Sequence, residues 1–204
     1  MHRILTLNEL VKAVDTLCEL EPRFKPIVAR HGIPSLRASP QGLEGLLMII
    51  TEQFLSLQAA ASIWARLKAR LEICEAASVL ACSETELVSL GLSRTKSKAF
   101  HAAARCNLDF TGLDETEVSK KLCAIHGVGP WTADIYLLSV LGAADAWPKG
   151  DLALSIAIHD FLNLEERPKI SEMAGLAANW RPHRAMAARL LWSHYRGLKG
   201  LQQA

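Results

Sequence analysis

Apolar residues recur along most of this chain at the three- and four-residue spacing of amphipathic helices. In LNELVKAVDTLCEL, residues 7–20, leucine, valine and alanine share one helical face and charged side chains occupy the other. No segment alternates apolar and polar residues over the length typical of a strand. The pattern predicts an all-α fold of about ten helices, with both ends of the chain contributing to one lobe.

Capping residues predict where several helices begin. Three pairs have the spacing of a capping box: Thr6 and Glu9, Ser83 and Glu86, and Asp114 and Glu117. Residues 39–71 form a run too long and too apolar for one surface helix, so we predict a break at residues 54–56. Ser56 would then cap the second helix of this run.

Composition and charge narrow the class of protein. Half of the residues are hydrophobic, and alanine and leucine dominate, which favours helices. The longest uncharged apolar stretch, residues 135–144, is about half of the ~20 residues that span a bilayer. We therefore expect a cytoplasmic protein without a membrane partner. A net charge of +2 permits binding to a polyanion without requiring it.

The five cysteines are odd in number, scattered, and never arranged as C-x-x-C. This pattern indicates neither a disulfide framework nor a zinc site. The seven histidines have no ligand spacing either, so we assign none of them to a metal.

A turn rich in glycine separates two predicted helices at residues 125–129. The first helix extends to Ala124 and the second begins at Pro130, where proline suits the first helical position. We expect Gly127 and Gly129 to take positive φ and to leave backbone amides exposed. The amides of Gly129, Trp131 and Thr132 would then point outward and bind an anion such as phosphate. A hairpin that merely packs two helices is the alternative.

The motif LCAIHGVGPWTAD resembles the helix-hairpin-helix of the DNA glycosylase superfamily, and WPKGDLAL resembles the segment that carries its catalytic aspartate. Three further segments follow the DNA-3-methyladenine glycosylase II pattern in the same order: IITEQFLSLQAAASIWARL, GLSRTKSKAFHAAAR and WRPHRAMAARLLW. The resemblance covers nearly the whole chain beyond about residue 20. It implies one glycosylase domain over residues 1–204, with two lobes around a cleft and the hairpin at about 114–142. We expect no N-terminal sheet domain of the kind that longer bacterial members carry.

The resemblance makes Asp151 the candidate catalytic residue. Asp151 also precedes LALSIAIHDFL as a helix N-cap would, and both roles are compatible. The dipole and the amides of a helix N-terminus favour a charged carboxylate. Such a carboxylate can stabilise the positive charge that develops on deoxyribose as a base leaves, and can orient water for attack.

The residue at position 131 indicates whether the enzyme would have lyase activity. Family members with lyase activity carry a lysine where this chain has Trp131, and tryptophan cannot form a Schiff base. The resemblance therefore implies a monofunctional enzyme that leaves an abasic site. Iron–sulfur members need four closely spaced cysteines near the C-terminus, and no cysteine follows Cys123. We expect no cluster and no required cofactor.

By the same resemblance, Trp131 and Trp192 line the base pocket. An indole face attracts a cationic alkylated purine by roughly 0.5–2 kcal/mol. Core packing is the alternative for each indole, and we assign Trp64, Trp147 and Trp180 to it. Ile135 and Leu152 stand where aromatic residues can occur in relatives, which leaves the substrate range open.

Four features concern contact with DNA. The resemblance places at Phe54 a side chain that enters the base stack when the damaged nucleotide swings out, although core burial is the usual fate of phenylalanine. Gly127, Val128, Gly129, Trp131 and Thr132 would contact the backbone. A monovalent cation would bind the carbonyls of Cys123, Ile125 and Val128, as in related hairpins. The basic run at residues 94–105 is either a solvated face or a further DNA contact.

Three functions remain open from sequence. The first is a monomeric, nucleoid-associated glycosylase of base excision repair that flips and excises alkylated purines such as 3-methyladenine from double-stranded DNA. The second is a glycosylase of the same fold that acts on a neutral lesion such as hypoxanthine. The third is a non-catalytic hairpin module that binds DNA, which would not need Asp151 together with Trp131 and Trp192.

Overall fold

The computed structural model describes residues 1–35 and 39–201, and α-helices make up most of this part of the chain. Within it lie twelve α-helices and a 3-10 helix at Ala178–Trp180. The α-helices are α1 (Leu7–Leu20), α2 (Phe24–His31), α3 (Gly42–Glu52), α4 (Leu57–Leu71), α5 (Ala76–Ala81), α6 (Glu84–Ser89), α7 (Arg94–Ala104), α8 (Glu115–Cys123), α9 (Pro130–Ser139), α10 (Leu152–Phe161), α11 (Ile170–Leu176) and α12 (Arg184–Leu198).

The helices divide between two compact units. One unit comprises residues 1–38 and 141–204, and the other comprises residues 39–140. The prediction that both ends of the chain contribute to one lobe is therefore confirmed.

The discontinuous unit is built around α12, against which α1, α2 and α10 pack. An aromatic cluster fills part of its core. The ring of Phe24 lies 4.5 Å from that of Phe161 and 5.3 Å from that of Trp180, which in turn contacts Trp147. Trp147 and Trp180 are each 2% exposed, so their predicted core role is confirmed, whereas Trp64 in the other unit is half-buried.

Near the chain start, a short extended segment joins the two sequence-distant parts of this unit. The Ile4 amide donates to the Gly142 carbonyl at 2.7 Å, and the Ala144 amide donates to the His2 carbonyl at 2.9 Å. The only β-bridge recorded in the described residues lies here, between Arg3 and Ala143.

In the continuous unit, α3 packs against α4, α7 and α9, while α8 packs against α9. Helix α3 is central because most of its side chains are apolar, and Leu46, Leu47 and Ile50 are fully buried. The predicted break after α3 is confirmed, since α4 begins at Leu57 and the Ser56 hydroxyl accepts the Ala59 amide at 3.2 Å.

The caps and the helix content agree with the sequence. Complete capping boxes form at Thr6 with Glu9 and at Asp114 with Glu117, and the Ser83 hydroxyl accepts the Glu86 amide. The twelve α-helices of the described residues confirm the predicted all-α fold of about ten helices. None of the described helices is long and apolar enough to span a membrane.

Candidate functional site

The hairpin of the continuous unit consists of α8, a tight turn and α9. Helix α8 ends at Cys123, and the Val128 amide closes the turn by donating to the Ile125 carbonyl at 3.0 Å. Ile125 and Val128 are each 5% exposed, so their side chains pack into the core and hold the turn in place. Any contact that Val128 makes with a ligand must therefore come from its backbone.

The two glycines of the turn have different roles. Gly127 has φ 83, and an added Cβ there would lie 2.5 Å from the Cβ of Ala99 on α7. Gly129 has φ −99, so the expected positive φ is wrong at this position. A Cβ at Gly129 would meet no protein atom within 4 Å. Neither backbone conformation nor packing within the chain therefore requires a glycine at position 129, and the space beside it is open.

Helix α9 begins with Gly129 as N-cap and Pro130 at the first helical position, and no side chain caps it. Trp131 is half-buried at this helix start. Thr132 is 2% exposed, and its hydroxyl is turned inward, where it accepts the Gln53 side-chain amide. This end of α9 has the composition and polarity of an anion site.

Phe54 lies in the turn between α3 and α4. The Leu55 amide donates to the Glu52 carbonyl at 3.2 Å, Gln53 has φ −50 and ψ 127, and Phe54 has φ 56. These values match a type II turn, whose third position usually holds glycine or asparagine. A bulky residue with positive φ costs about 1–3 kcal/mol.

The Phe54 side chain is 103% exposed, so the core alternative is wrong. A large apolar side chain that is fully solvated contributes nothing to the packing of the core, and the positive φ of Phe54 adds strain to the turn.

Two side chains bind this turn to its surroundings. The Gln53 side-chain amide donates to Thr132 Oγ1 at 2.8 Å and to the Gly127 carbonyl at 3.2 Å. The Lys96 ammonium donates to the carbonyls of Thr51 and Gln53 at 2.9 and 2.6 Å. Partial burial lowers the pKa of Lys96. Because its ammonium bonds the turn, Lys96 does not belong to the solvated basic face predicted at residues 94–105. Arg94, Lys98 and Arg105 are exposed.

Asp151 lies in the other unit, at the start of α10. A turn with Gly150 at φ 78 precedes it, and Asp151 Oδ1 accepts the Leu154 amide at 2.8 Å. The same oxygen accepts the indole N–H of Trp192 on α12 at 3.2 Å. The predicted N-cap role is confirmed, and two elements fix the orientation of the carboxylate.

Both indoles assigned to the base pocket are half-buried, which leaves part of each ring accessible. Leu152, beside Asp151, is 61% exposed, whereas Ile135 is 9% exposed. Asp151, Trp192 and Leu152 share the discontinuous unit, while Trp131 and Ile135 belong to the continuous unit.

Sequence reasoning missed three features of these sites: the Gln53 side chain, the inward turn of Lys96, and the bond from Trp192 to Asp151. Each joins residues between 41 and 79 positions apart. Local periodicity and spacing carry no signal for such pairs. Only the position of Gln53 directly before Phe54 could have drawn attention to it.

The predicted cation site involves backbone carbonyls of the hairpin turn. The Ile125 carbonyl already accepts one amide, but a carbonyl oxygen has two lone pairs. Cys123 is exposed at the end of α8. No group of three or more His, Cys, Asp or Glu side chains in the described part of the chain could hold a metal ion.

The chain is similar in sequence and fold to proteins named as DNA glycosylases or glycosidases. The alkylbase DNA glycosidase-like protein mag2 of Schizosaccharomyces pombe is 26% identical over 199 residues, which are 91% of this chain and 93% of that protein. A DNA-3-methyladenine glycosidase from Bacillus halodurans is 25% identical, with a TM-score of 0.77 and coverage of 92% and 91% of the two chains.

The fold also matches that of the S. pombe 3-methyladenine DNA glycosylase Mag1, solved in complex with abasic DNA. That match has a TM-score of 0.76 at 22% identity and covers 89% of this chain and 95% of Mag1. Residues 47–182, two thirds of the chain, match the model of the HhH-GPD superfamily base excision DNA repair proteins. The chain belongs to this superfamily.

Proposed function

We propose that this protein is a monofunctional DNA glycosylase that excises alkylated, cationic purines such as 3-methyladenine from double-stranded DNA. The observation that carries the proposal is the Asp151 carboxylate, oriented at the start of α10 by the Leu154 amide and the Trp192 indole. The similarity to a 3-methyladenine glycosidase over nearly the whole chain supports the substrate class.

In this proposal Asp151 acts on the sugar rather than on the base. Departure of the base leaves positive charge on the deoxyribose ring, and the carboxylate stabilises that charge and orients the attacking water. An alkylated purine is already cationic, so its glycosidic bond is weak and little acid catalysis is required. The indole faces of Trp131 and Trp192 attract the cationic base.

The hairpin and the Phe54 turn grip the DNA in this scheme. The start of α9 binds a backbone phosphate through its amides, and the bare Gly129 lets the phosphate approach closely. The backbone carbonyls of Cys123, Ile125 and Val128 would hold a monovalent cation, which would supply positive charge near that phosphate. Phe54 enters the gap left by the flipped nucleotide, where it offsets part of the cost of unstacking.

Two features of the sequence support hydrolysis without a cofactor. Trp131 stands where lyase members carry a lysine, so the product is an intact abasic strand. No cysteine follows Cys123, so the C-terminal region has no ligands for an iron–sulfur cluster.

The decisive experiment incubates the purified protein with duplexes that each carry one defined lesion and identifies the free base by mass spectrometry. We expect release of 3-methyladenine, and Asp151→Asn should reduce it by roughly 10²–10³-fold because the amide keeps the cap but loses the charge. Lesion binding by this variant should stay within several-fold of wild type.

Other outcomes would redirect the proposal. Release of hypoxanthine alone would assign a neutral lesion. Lesion binding without release of any base would assign a non-catalytic DNA-binding module. Near-normal turnover by Asp151→Asn would remove this residue from the catalytic role.

A further inference from the structure

The turn that carries Phe54 is unfavourable in isolation, so other parts of the unit must hold it. Its third residue has φ 56 with a bulky side chain that makes no contribution to the core. A chain segment of this kind relaxes unless its surroundings fix it. The bonds of Lys96 and Gln53 are the contacts that connect this turn to α7 and to the hairpin.

Lys96 acts on the backbone of the turn. Its ammonium bonds the carbonyl of Thr51 in the last turn of α3 and the carbonyl of Gln53, directly before Phe54. The last carbonyls of a helix have no partner within the helix, and a cation there is favoured by the helix dipole. One side chain from α7 therefore fixes the point at which the chain leaves α3.

Gln53 connects the same turn to the hairpin. Its amide bonds Thr132 Oγ1 in the first turn of α9 and the carbonyl of Gly127 in the hairpin turn. Thr132 is fully packed, and Gly127 is in close contact with Ala99 on α7, so both partners are rigidly held. Gln53 therefore fixes the position of the Phe54 turn relative to the hairpin, which is the element that would bind a phosphate.

We propose that Lys96 and Gln53 are positioning residues that hold Phe54 outside the fold, ready for insertion, at a fixed distance from the phosphate site of the hairpin. The inference rests on the proposed base-flipping function. It adds that insertion depends on a preformed turn rather than on a loop that orders only when DNA binds. A preformed turn loses less conformational freedom on binding than a mobile one.

The first test compares excision from two substrates. Lys96→Met keeps the length and the apolar stem but loses both bonds. We expect excision from a fully stacked duplex to fall by about tenfold, and excision of a lesion opposite a gap to fall by less than about twofold. Lys68→Met is the matched control, because it removes a lysine bond to the Glu44 carboxylate in the same unit, at the opposite end of α3 from the turn. Equal losses on both substrates would overturn the proposal.

A double-mutant cycle tests whether both residues act through Phe54. In a Phe54→Ala background, neither Lys96→Met nor Gln53→Met should reduce excision from stacked DNA further. Losses that multiply in the double variants would show that these residues act by another route, and would overturn the proposal. Melting temperatures measured for each variant separate general loss of stability from loss of positioning.

A readout that needs no catalysis keeps the two proposals distinguishable. A duplex with 2-aminopurine beside a tetrahydrofuran abasic site reports base unstacking by fluorescence. We expect wild-type protein and Lys68→Met to raise the fluorescence, and Lys96→Met and Gln53→Met to raise it at least about threefold less at saturating protein. If wild type unstacks the base but releases none, only the proposed catalytic function fails. If all variants unstack it equally, the positioning role fails.

Discussion

Trp192 shows how one side chain can serve two functions. Its N–H is bonded to Asp151 Oδ1, and its half-buried ring leaves a face for stacking. The sequence resemblance implied only the stacking role. The bond adds a second role, because a hydrogen bond from the indole N–H fixes the direction of the carboxylate.

Substitution at position 192 should separate these two functions. Trp192→Phe keeps an aromatic face but loses the N–H, so we expect kcat to fall roughly tenfold on cationic and neutral lesions alike. Trp192→Ala also loses the ring, and it should impair action on cationic bases more than on neutral ones. Steady-state kinetics on the two lesion types measures both effects. Equal losses from Trp192→Ala on both types would indicate packing rather than stacking on charge.

At the scale of the elements, the hairpin offers a comparison between two glycines with different roles. Gly129→Ala meets no protein atom and no unfavourable φ, so the melting temperature should stay within about 2 °C of wild type while affinity for duplex DNA falls. Gly127→Ala introduces strain at φ 83 and a clash with Ala99, so it should lower the melting temperature clearly. Calorimetry and a DNA-binding titration distinguish them. Unchanged DNA affinity in Gly129→Ala would show that no phosphate approaches this turn.

The turn between α3 and α4 should show opposite effects on stability and activity. Phe54→Gly relieves the positive φ, so we expect it to stabilise the protein by about 1 kcal/mol while it impairs excision from stacked duplex DNA. Phe54→Ala should leave the melting temperature nearly unchanged and impair excision similarly. A core phenylalanine would instead lose ~3–5 kcal/mol on truncation to alanine. A large fall in melting temperature for Phe54→Ala would contradict both the exposure and the wedge role.

Local chemistry explains which parts of the fold could be predicted from sequence. The caps at Thr6, Ser56, Asp114 and Asp151 follow from bonds within three residues, and each is present. The positive φ predicted for Gly129 is wrong, because composition alone cannot distinguish a glycine needed for its conformation from one needed for space. The bonds of Gln53 and of Trp192 depend on tertiary packing, which no local pattern encodes.

At the scale of the whole molecule, the reaction should end with an intact strand. Because tryptophan occupies position 131, borohydride added during turnover should trap no covalent complex with DNA. The measurement is a gel-shift assay under denaturing conditions, with a lyase member of the family as positive control. An efficiently trapped adduct would overturn the monofunctional assignment and direct attention to another amine.

The order of the two units along the chain also has a consequence for biosynthesis. Helices α1 and α2 are synthesised before the continuous unit, whereas α12, against which they pack, is synthesised after it. At about 5–20 residues per second, the apolar faces of α1 and α2 wait on the order of ten seconds for their partner. Leu10 and Leu17, fully buried in the finished protein, are exposed during that interval. The apolar faces of α1 and α2 are therefore open to aggregation while residues 39–140 are being synthesised.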